Sequence, residues 1–555
     1  MKDTDILLGF IWKIANILRG DFRKDEYRKV IIPFVILRRF DCILQEKKQL
    51  KQTTYSQIEN STDLDLALIV KNKDKCFRLL LDYLKGFSGI TEDILNNFNL
   101  INQINRLQQS RLLFIVLQNL CNLDLSPKTI SSEQMSTLLE EVNRKTSFLS
   151  GDLHGEYYTP EEVISLMLKL LVCEDKTIAK KNIEKSVFDC CSGTGNTLLM
   201  AHDYFKSLNS SINISLFGQE INAESYAFCK AAMLLKGTCS DNVVLGNSLL
   251  NPDLTTSKGD NFFKNEFDYF ITNPPYGMQW KKIEPLVKEE HQLQGFSGRY
   301  GPGLPSVKDA SLLFLMNIMS KMKKEGSRMA IIFNGSPLFA GRPSPKKNEN
   351  SIRQWILEND YLDSIVALPN WLFYSTGITT YLWILSNKKE TRRKGSVQLI
   401  NASTFFVKMS KTIGNKRNRL DSSHITRIVD VYKSYSENEY SKIVNNSAFG
   451  YKKITVERPQ RKNGQIVLNK KGNPKPDINL RDTENIPLNR DPKEHLEKHI
   501  HPHFPDAWID EDKISIGYEI PFTKYFFNPK PLRTLTEINK DLSALQKEID
   551  NLSVF

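Results

Sequence analysis

Four consecutive residues, Asn273-Pro274-Pro275-Tyr276, follow the apolar run Phe267 to Thr272 and combine an amide, two turn-forming rings and an aromatic. Proline fixes its own φ, so the pair makes a stiff turn. A turn after a strand in an α/β protein lies at the sheet edge where ligands bind. The chemistry that uses such a set is methylation of an exocyclic base amine. That amine is a weak nucleophile because its lone pair is delocalised into the ring. Accepting its two N–H bonds on the Asn273 side-chain carbonyl and the Pro274 main-chain carbonyl would pull it toward a reactive, pyramidal form. Tyr276 would then stack on the extruded base. Such stacking contributes roughly 1–3 kcal/mol, comparable with the few kcal/mol needed to take a nucleotide out of a duplex. Read blandly, the same residues are a Pro-Pro turn with a packing tyrosine, so their setting decides.

Three more sites share that setting. Val187 to Asn196 reads as a strand running into a turn with Gly193 and Gly195, then a helix from Thr197 to Ser207; glycines there let backbone approach a ligand closely. A second strand ends at Gly218-Gln219-Glu220, where a carboxylate can hold both hydroxyls of a ribose or simply start a helix. A third ends at Gly246-Asn247-Ser248. With Asn273, these place polar groups at the carboxyl ends of four successive strands, on one edge of one sheet. The coincidence outweighs each bland reading.

The elements that must position them follow from texture. Residues 1–145 read as a helical domain, with Gly20 and Pro33 as expected interruptions in the stretch Phe10 to Leu44. Residues 146–400 read as an α/β domain with a largely parallel sheet. Its expected strands are Val187–Cys190, Ile214–Gly218, Val243–Gly246, Asp268–Thr272, Met329–Asn334, Ser364–Leu368 and Thr380–Leu385. Lys281 to Asp309 and Gly341 to Asn350 read as mobile loops, the first a candidate to close on DNA through Arg299, Tyr300 and Lys308. Residues 401–555 read as a basic, helical C-terminal region. It ends in a helix whose Leu535, Ile538, Leu542, Leu545, Ile549 and Leu552 are spaced 3, 4, 3, 4, 3, a short heptad seam.

The 555 residues exceed one ordinary core, and the composition, 40% hydrophobic and 25% charged, is that of a folded protein. No run suits a membrane span or a signal peptide. The net charge of +12, 76 Lys and Arg against 64 Asp and Glu, leans toward an anionic partner such as nucleic acid. From Lys388 to Arg419 there are ten basic residues against one acid, Glu390. Two readings stand open for this stretch, a track for DNA phosphates and a solvated surface. Eight scattered cysteines without a C-x-x-C pair imply reduced thiols and a cytoplasmic protein.

Taken together, these motifs resemble the modification subunits of type I restriction-modification systems, gamma-class adenine-N6 DNA methyltransferases that use S-adenosylmethionine. The resemblance covers nearly the whole chain, from Trp12–Arg39 to Ile516-Gly517-Tyr518-Glu519-Ile520. It implies a class I methyltransferase fold, with a Rossmann-like seven-stranded sheet, a helical N-terminal domain and a helical C-terminal tail. It implies a catalytic Asn273, Pro274, Pro275 and Tyr276, with asparagine rather than serine or aspartate at 273 favouring adenine. The cofactor would be held by Glu156, Tyr157, Tyr158, Thr159, Pro160 and Glu161 over its methionine part. Asp189, Ser192, Gly193, Thr194, Gly195 and Asn196 would form its loop, with Glu220, Asn247 and Ser248 beyond. The family's loop often carries proline after its aspartate and Gly or Ala at its end; Cys190 and Asn196 stand there instead. The implied partners are double-stranded DNA, a separate specificity subunit bound through the terminal helix, with two copies of this chain to each, and a restriction subunit. No membrane is implied.

No metal or nucleophilic cysteine is needed, since the methyl group passes directly from sulfonium to amine. His495, His499, His501 and His503 read as surface histidines, because Pro502 and Pro505 break the segment. Glu46-Lys47-Lys48 is a solvated charge run rather than half of a nuclease site. The competing functions are a solitary adenine methyltransferase, a non-catalytic DNA-binding scaffold of the same fold and, more remotely, a dinucleotide oxidoreductase, in which Asn-Pro-Pro-Tyr would have no role.

Overall fold

The computed structural model describes residues 9, 12–50, 55–150, 158–256, 258–344, 346–469, 471–527 and 534–552. At its centre is a nine-stranded sheet. In chain order its strands are β1 (Glu184–Asp189), β2 (Asn213–Glu220), β3 (Val243–Leu245), β4 (Tyr269–Thr272), β5 (Arg328–Phe333), β6 (Leu362–Ala367), β7 (Tyr381–Ser386) and β8 (Ser396–Asn401). After a separate hairpin of β9 (Val407–Ile413) and β10 (Lys416–Arg419), β11 (Ser441–Asn445) completes it. The spatial order is β11-β8-β6-β7-β5-β4-β1-β2-β3. All seven expected strands are present, and two more, β8 and β11, extend the sheet past residue 400.

β1 pairs in parallel with β2 on one side and β4 on the other, so the strand order reverses between β1 and β4. At such a reversal the connecting loops diverge and leave a crevice at the carboxyl ends. β7 runs antiparallel to both β5 and β6. Every residue of β4 and of β6 is buried, since both faces are covered; β4 therefore reads as a near-continuous apolar run rather than as alternation, whereas β6 carries Asp363 and Ser364, which are bonded to Tyr432 and to the Gln398 carbonyl.

The helical region N-terminal to the sheet includes α1 (Tyr27–Leu50), α2 (Leu66–Lys71), α3 (Cys76–Lys85), α4 (Gly89–Asn97), α5 (Leu100–Gln109), α6 (Leu113–Cys121) and α7 (Ser132–Ser150). Gly20, at φ 103°, does break the chain as expected, but Pro33 does not, because α1 runs through it. An interior proline costs a helix roughly 3 kcal/mol. Here Val30 to Leu37, all buried, outweigh that through packing.

The helices that follow frame the crevice. α8 (Glu161–Val172) starts directly after Pro160 and packs on β4, β5 and β7. α9 (Asn196–Leu208) and α10 (Ala223–Lys236) cover β1 and β2. α10 also packs on α4 and α7, where Tyr226 Oη and Lys230 Nζ both donate to Asp93, at 2.6 and 2.9 Å. Buried apolar side chains from Ile14 to Tyr432 form one continuous cluster across the helical region and the sheet.

The expectation of a helical C-terminal region is corrected in part. β12 (Gly450–Glu457) pairs with β13 (Asp482–Pro487), β14 (Trp508–Ile509) and β15 (Ser515–Tyr518) over a small core of Ile454, Val456, Ile486, Ile500 and Ala507. Adjacent polar residues, Lys452 and Lys453 in β12 and Asp482 to Asn485 in β13, interrupt the alternation, so no period of two accumulates in the sequence. Residues 521–555 form a second compact unit, which contains the expected terminal helix, Leu535–Leu552.

Candidate active site

The carboxyl ends of β1 to β4 open on a cleft of about 520 Å³. It is lined by Tyr158, Thr159, Asp189, Ser192, Gly193, Thr194, Asn196, Glu220, Asn247, Ser248, Asn273, Pro275 and Tyr276, thirteen of the residues singled out above, brought together from a stretch of more than 110 residues. Pro160, Glu161, Gly195 and Pro274 flank these in the chain without lining the cleft, and Glu156 and Tyr157 lie outside the described residues.

The loop after β1 is built on glycines. Gly193 (φ 54°) turns the backbone so that its N–H donates to Glu220 Oε2 at 2.8 Å. Gly195 (φ 85°) starts α9 where a Cβ would come 2.5 Å from Cys229 Sγ on α10, so only glycine fits. The other oxygen of Glu220 accepts from the Asn222 N–H at 2.8 Å, and the Asn222 side chain caps α10 by accepting from Glu224 and Ser225, each at 3.0 Å. Glu220 is therefore oriented from both sides before any ligand arrives.

Asp189 closes β1 and is buried. It accepts from the Cys191 N–H at 3.0 Å and from the Thr272 hydroxyl. Burial, reinforced by the negative charge of Glu220, outweighs these bonds and pushes its carboxyl up to about 7. No Lys, Arg or His is among the described lining residues, so two acids face the cleft without a cation. Burial also drives the Cys191 thiol well up, which leaves it protonated and a poor nucleophile.

Asn273 follows β4, and its amide is held at both ends. Nδ2 donates to Thr159 Oγ1 at 2.9 Å, and Oδ1 accepts from the Tyr276 hydroxyl at 2.5 Å. The carbonyl expected to receive a base amine is thus already engaged by the aromatic residue expected to stack on the base. Asn196 Nδ2 donates to Tyr158 Oη at 3.2 Å, tying the loop after β1 to the segment before α8.

Several lining residues were not singled out from sequence: Ile164, Thr197, Ile221, Asn222, Ser225, Gly277, Met278 and Phe314; Cys190, noted above in place of the family's proline, and its neighbour Cys191 line the cleft too. Asn222 was findable, as an asparagine directly before a helical run is an N-cap signal. The expected mobile loop after Asn273 needs correction. Within it Glu284–Gln294 is a helix, and Arg299 and Tyr300 are buried. Arg299 pairs with Glu290 at 2.6 Å and Asp260 at 3.1 Å and donates to the Ser248 carbonyl at 2.8 Å, while Tyr300 Oη donates to the Leu249 carbonyl at 2.9 Å. These two residues hold the loop after β3 from beneath instead of reaching outward.

Residues 131–458, more than half of the chain, match the family described as N-6 DNA Methylase. The chain belongs to that family. Residues 7–142 of this methylase family member match the HsdM N-terminal domain. It is 30% identical over 294 residues to the type I restriction enzyme MjaVII methylase subunit of Methanocaldococcus jannaschii, covering 52% of this chain and 46% of that protein. To the type I restriction enzyme MpnII methylase subunit of Mycoplasma pneumoniae it is 28% identical over 297 residues, 52% of this chain and 49% of that one. The chain spans about half the length of these curated relatives. In fold, the chain resembles the type I restriction-modification system methyltransferase subunit of Streptococcus thermophilus, with a TM-score of 0.64 at 21% identity over 80% of this chain and 96% of that one.

Proposed function

We propose that this chain transfers a methyl group from S-adenosylmethionine to N6 of an adenine in double-stranded DNA, as the modification subunit of a type I restriction-modification complex. The observation that carries this reading is Asn273, an amide anchored at the end of β4 in the same cleft as the loops of β1, β2 and β3. A cleft of about 520 Å³ that presents acids and, among the described residues, no lining cation suits a nucleoside bearing positive charge. S-adenosylmethionine, when bound, supplies an electrophilic methyl group on a cationic sulfur.

In this reading Glu220, fixed by Gly193 and Asn222, accepts the ribose hydroxyls. Asp189 offers negative charge deeper in the cleft, Tyr158 and Thr159 cover the methionine side, and Asn247 and Ser248 face the base of the cofactor. Asn273 Oδ1 and the Pro274 carbonyl accept the N–H bonds of the adenine amine, localising its lone pair for in-line attack. The Tyr276 hydroxyl must share or leave Oδ1 as the base enters, and its ring then stacks on that base. The names of the relatives, methylase subunits of restriction enzymes, support a multisubunit setting in which a separate specificity subunit reads the sequence.

The test is methyl transfer to duplex DNA by the chain together with its specificity subunit. Asn273→Ala is expected to lower transfer by about 10²–10³, the size of effect seen when one positioned polar group is removed, without changing cofactor affinity. Full activity of Asn273→Ala, or a methylated cytosine as product, would sink the reading.

A further inference from the structure

We propose that the β9–β10 hairpin is a phosphate-binding clamp for double-stranded DNA beside the cleft. Residues 407–419 contain five basic residues and no acid. Lys416 alone of the five turns inward: its ammonium meets Glu162 on α8 and donates to the Leu372 carbonyl at 2.9 Å. Lys408, Lys411, Arg417 and Arg419 are exposed, and none has a carboxylate within 4.0 Å among the described residues. Contrast Lys389, Arg392 and Arg393 just upstream, which pair with Asp360, Glu390, Glu174 and Asp363. Four like charges crowded on two short strands repel one another, an arrangement that costs stability until an anion offsets it.

The hairpin is also held in place. The Asn415 N–H donates to the Tyr374 carbonyl at 2.9 Å, and Asn415 Nδ2 to the Ser375 carbonyl at 3.0 Å. The Arg417 and Asn418 N–H groups donate to the Trp371 carbonyl at 2.9 and 3.0 Å, with Trp371 itself at φ 55° and its ring under the Arg417 guanidinium at 4.1 Å. Tyr374 in turn packs edge-on against Tyr158, a wall of the cleft, with ring centroids 5.6 Å apart. The cations therefore stand on a frame joined to the site. A regular polyanion passing the cleft mouth would meet several of them at once. Duplex DNA as that polyanion rests on the function proposed above; an acidic protein surface is the other class of partner that would fit.

The test uses the full chain, a fluorescent 25-bp duplex of arbitrary sequence and salt from about 50 to 200 mM, the range over which phosphate contacts are read from the slope of log affinity against log salt. Lys408→Glu with Lys411→Glu, both solvent-facing, is expected to weaken binding at least about tenfold at the low-salt end. Neutralising all four exposed cations should cut the slope by about 0.9 for each phosphate released. Circular dichroism and S-adenosylmethionine affinity should stay as in wild type, and Arg417→Lys should keep the slope. Unchanged duplex affinity and slope in the four-residue variant would overturn the proposal. So would loss of assembly with the specificity subunit at unchanged duplex affinity, which would mark a protein-docking surface. Asn273→Ala separates the two readings: full methyl transfer in that variant beside a hairpin-dependent slope removes the catalytic reading alone, whereas its inactivity beside a hairpin without effect removes the clamp alone.

Discussion

Two kinds of buried charge in this molecule contrast sharply. Behind the sheet, Arg393 and Arg328 meet Glu174 and Asp363, with Tyr432 donating to Asp363 at 2.5 Å; under the loop after β3, Arg299 and Lys321 meet Asp260 and Glu290. Each network holds two buried cations against two acids, and Glu174 also takes the half-exposed Arg392 at 3.1 Å. In the cleft, Asp189 and Glu220 face the same space and none of the described lining residues is basic. A balanced buried network needs nothing further and serves to fix elements. An unbalanced pair of acids at a sheet's carboxyl edge suits a ligand that carries positive charge; burial first, and then the negative charge of Glu220, raises the Asp189 carboxyl.

The largest effect that tests this contrast is on the balanced side. Arg393→Ala leaves Glu174 and Asp363 buried with less positive charge, and breaking a buried pair costs about 3–5 kcal/mol. A denaturant or thermal midpoint should fall accordingly. A shift within about 0.5 kcal/mol, the range of ordinary surface substitutions, would mean that the network is not what fixes β6, β8 and the helix Ser422–Ser434 together.

A smaller effect lies on the unbalanced side. Asp189 binds its proton more tightly folded than unfolded, so its contribution to stability is complete in acid and is lost as pH rises through about 7. A cationic ligand favours the ionised form. S-adenosylmethionine affinity should therefore rise about tenfold from pH 6 to pH 8, because at pH 6 about a tenth of a group titrating near 7 is ionised. Asp189→Asn should bind weakly and without this slope, as calorimetry across that range would show. A wild-type affinity that is flat with pH would break the link between the acid pair and the ligand's charge.

The contrast also explains what the sequence disclosed. β4 with Asn273 to Tyr276, and β1 with Gly193 and Gly195, were legible because strand, turn and chemistry lie within ten residues of each other. The fate of charge was not. Lys389, Arg392 and Arg393 lie in the same basic stretch as Arg417 and Arg419, yet Arg393 finds Glu174 from 219 residues away. Nothing local distinguishes a cation with a distant acid from one without. For the same reason Arg299 and Tyr300 read as an outward-reaching loop and turned out to be buried, since their partners Asp260 and Leu249 come from an earlier connection. The strands β12 to β15 went unread because adjacent polar residues, Lys452 and Lys453 in β12 and Asp482 to Asn485 in β13, break the alternation that marks a half-buried strand.

The smallest effect concerns a neutral contact between the two halves of the cleft. The sequence placed Thr159 with the cofactor, but its hydroxyl accepts from Asn273 Nδ2, 114 residues away, at 2.9 Å. That bond orients the amide so that Oδ1, the acceptor we propose for the adenine amine, faces the Tyr276 hydroxyl rather than trading places with the nitrogen. Thr159→Val keeps the shape and removes the acceptor. One neutral hydrogen bond is worth about 0.5–1.5 kcal/mol, so kcat should fall roughly twofold to tenfold while the KM for S-adenosylmethionine holds, and Thr159→Ser should restore it. If KM rises instead and kcat holds, Thr159 serves the cofactor, and Tyr276 alone sets the amide.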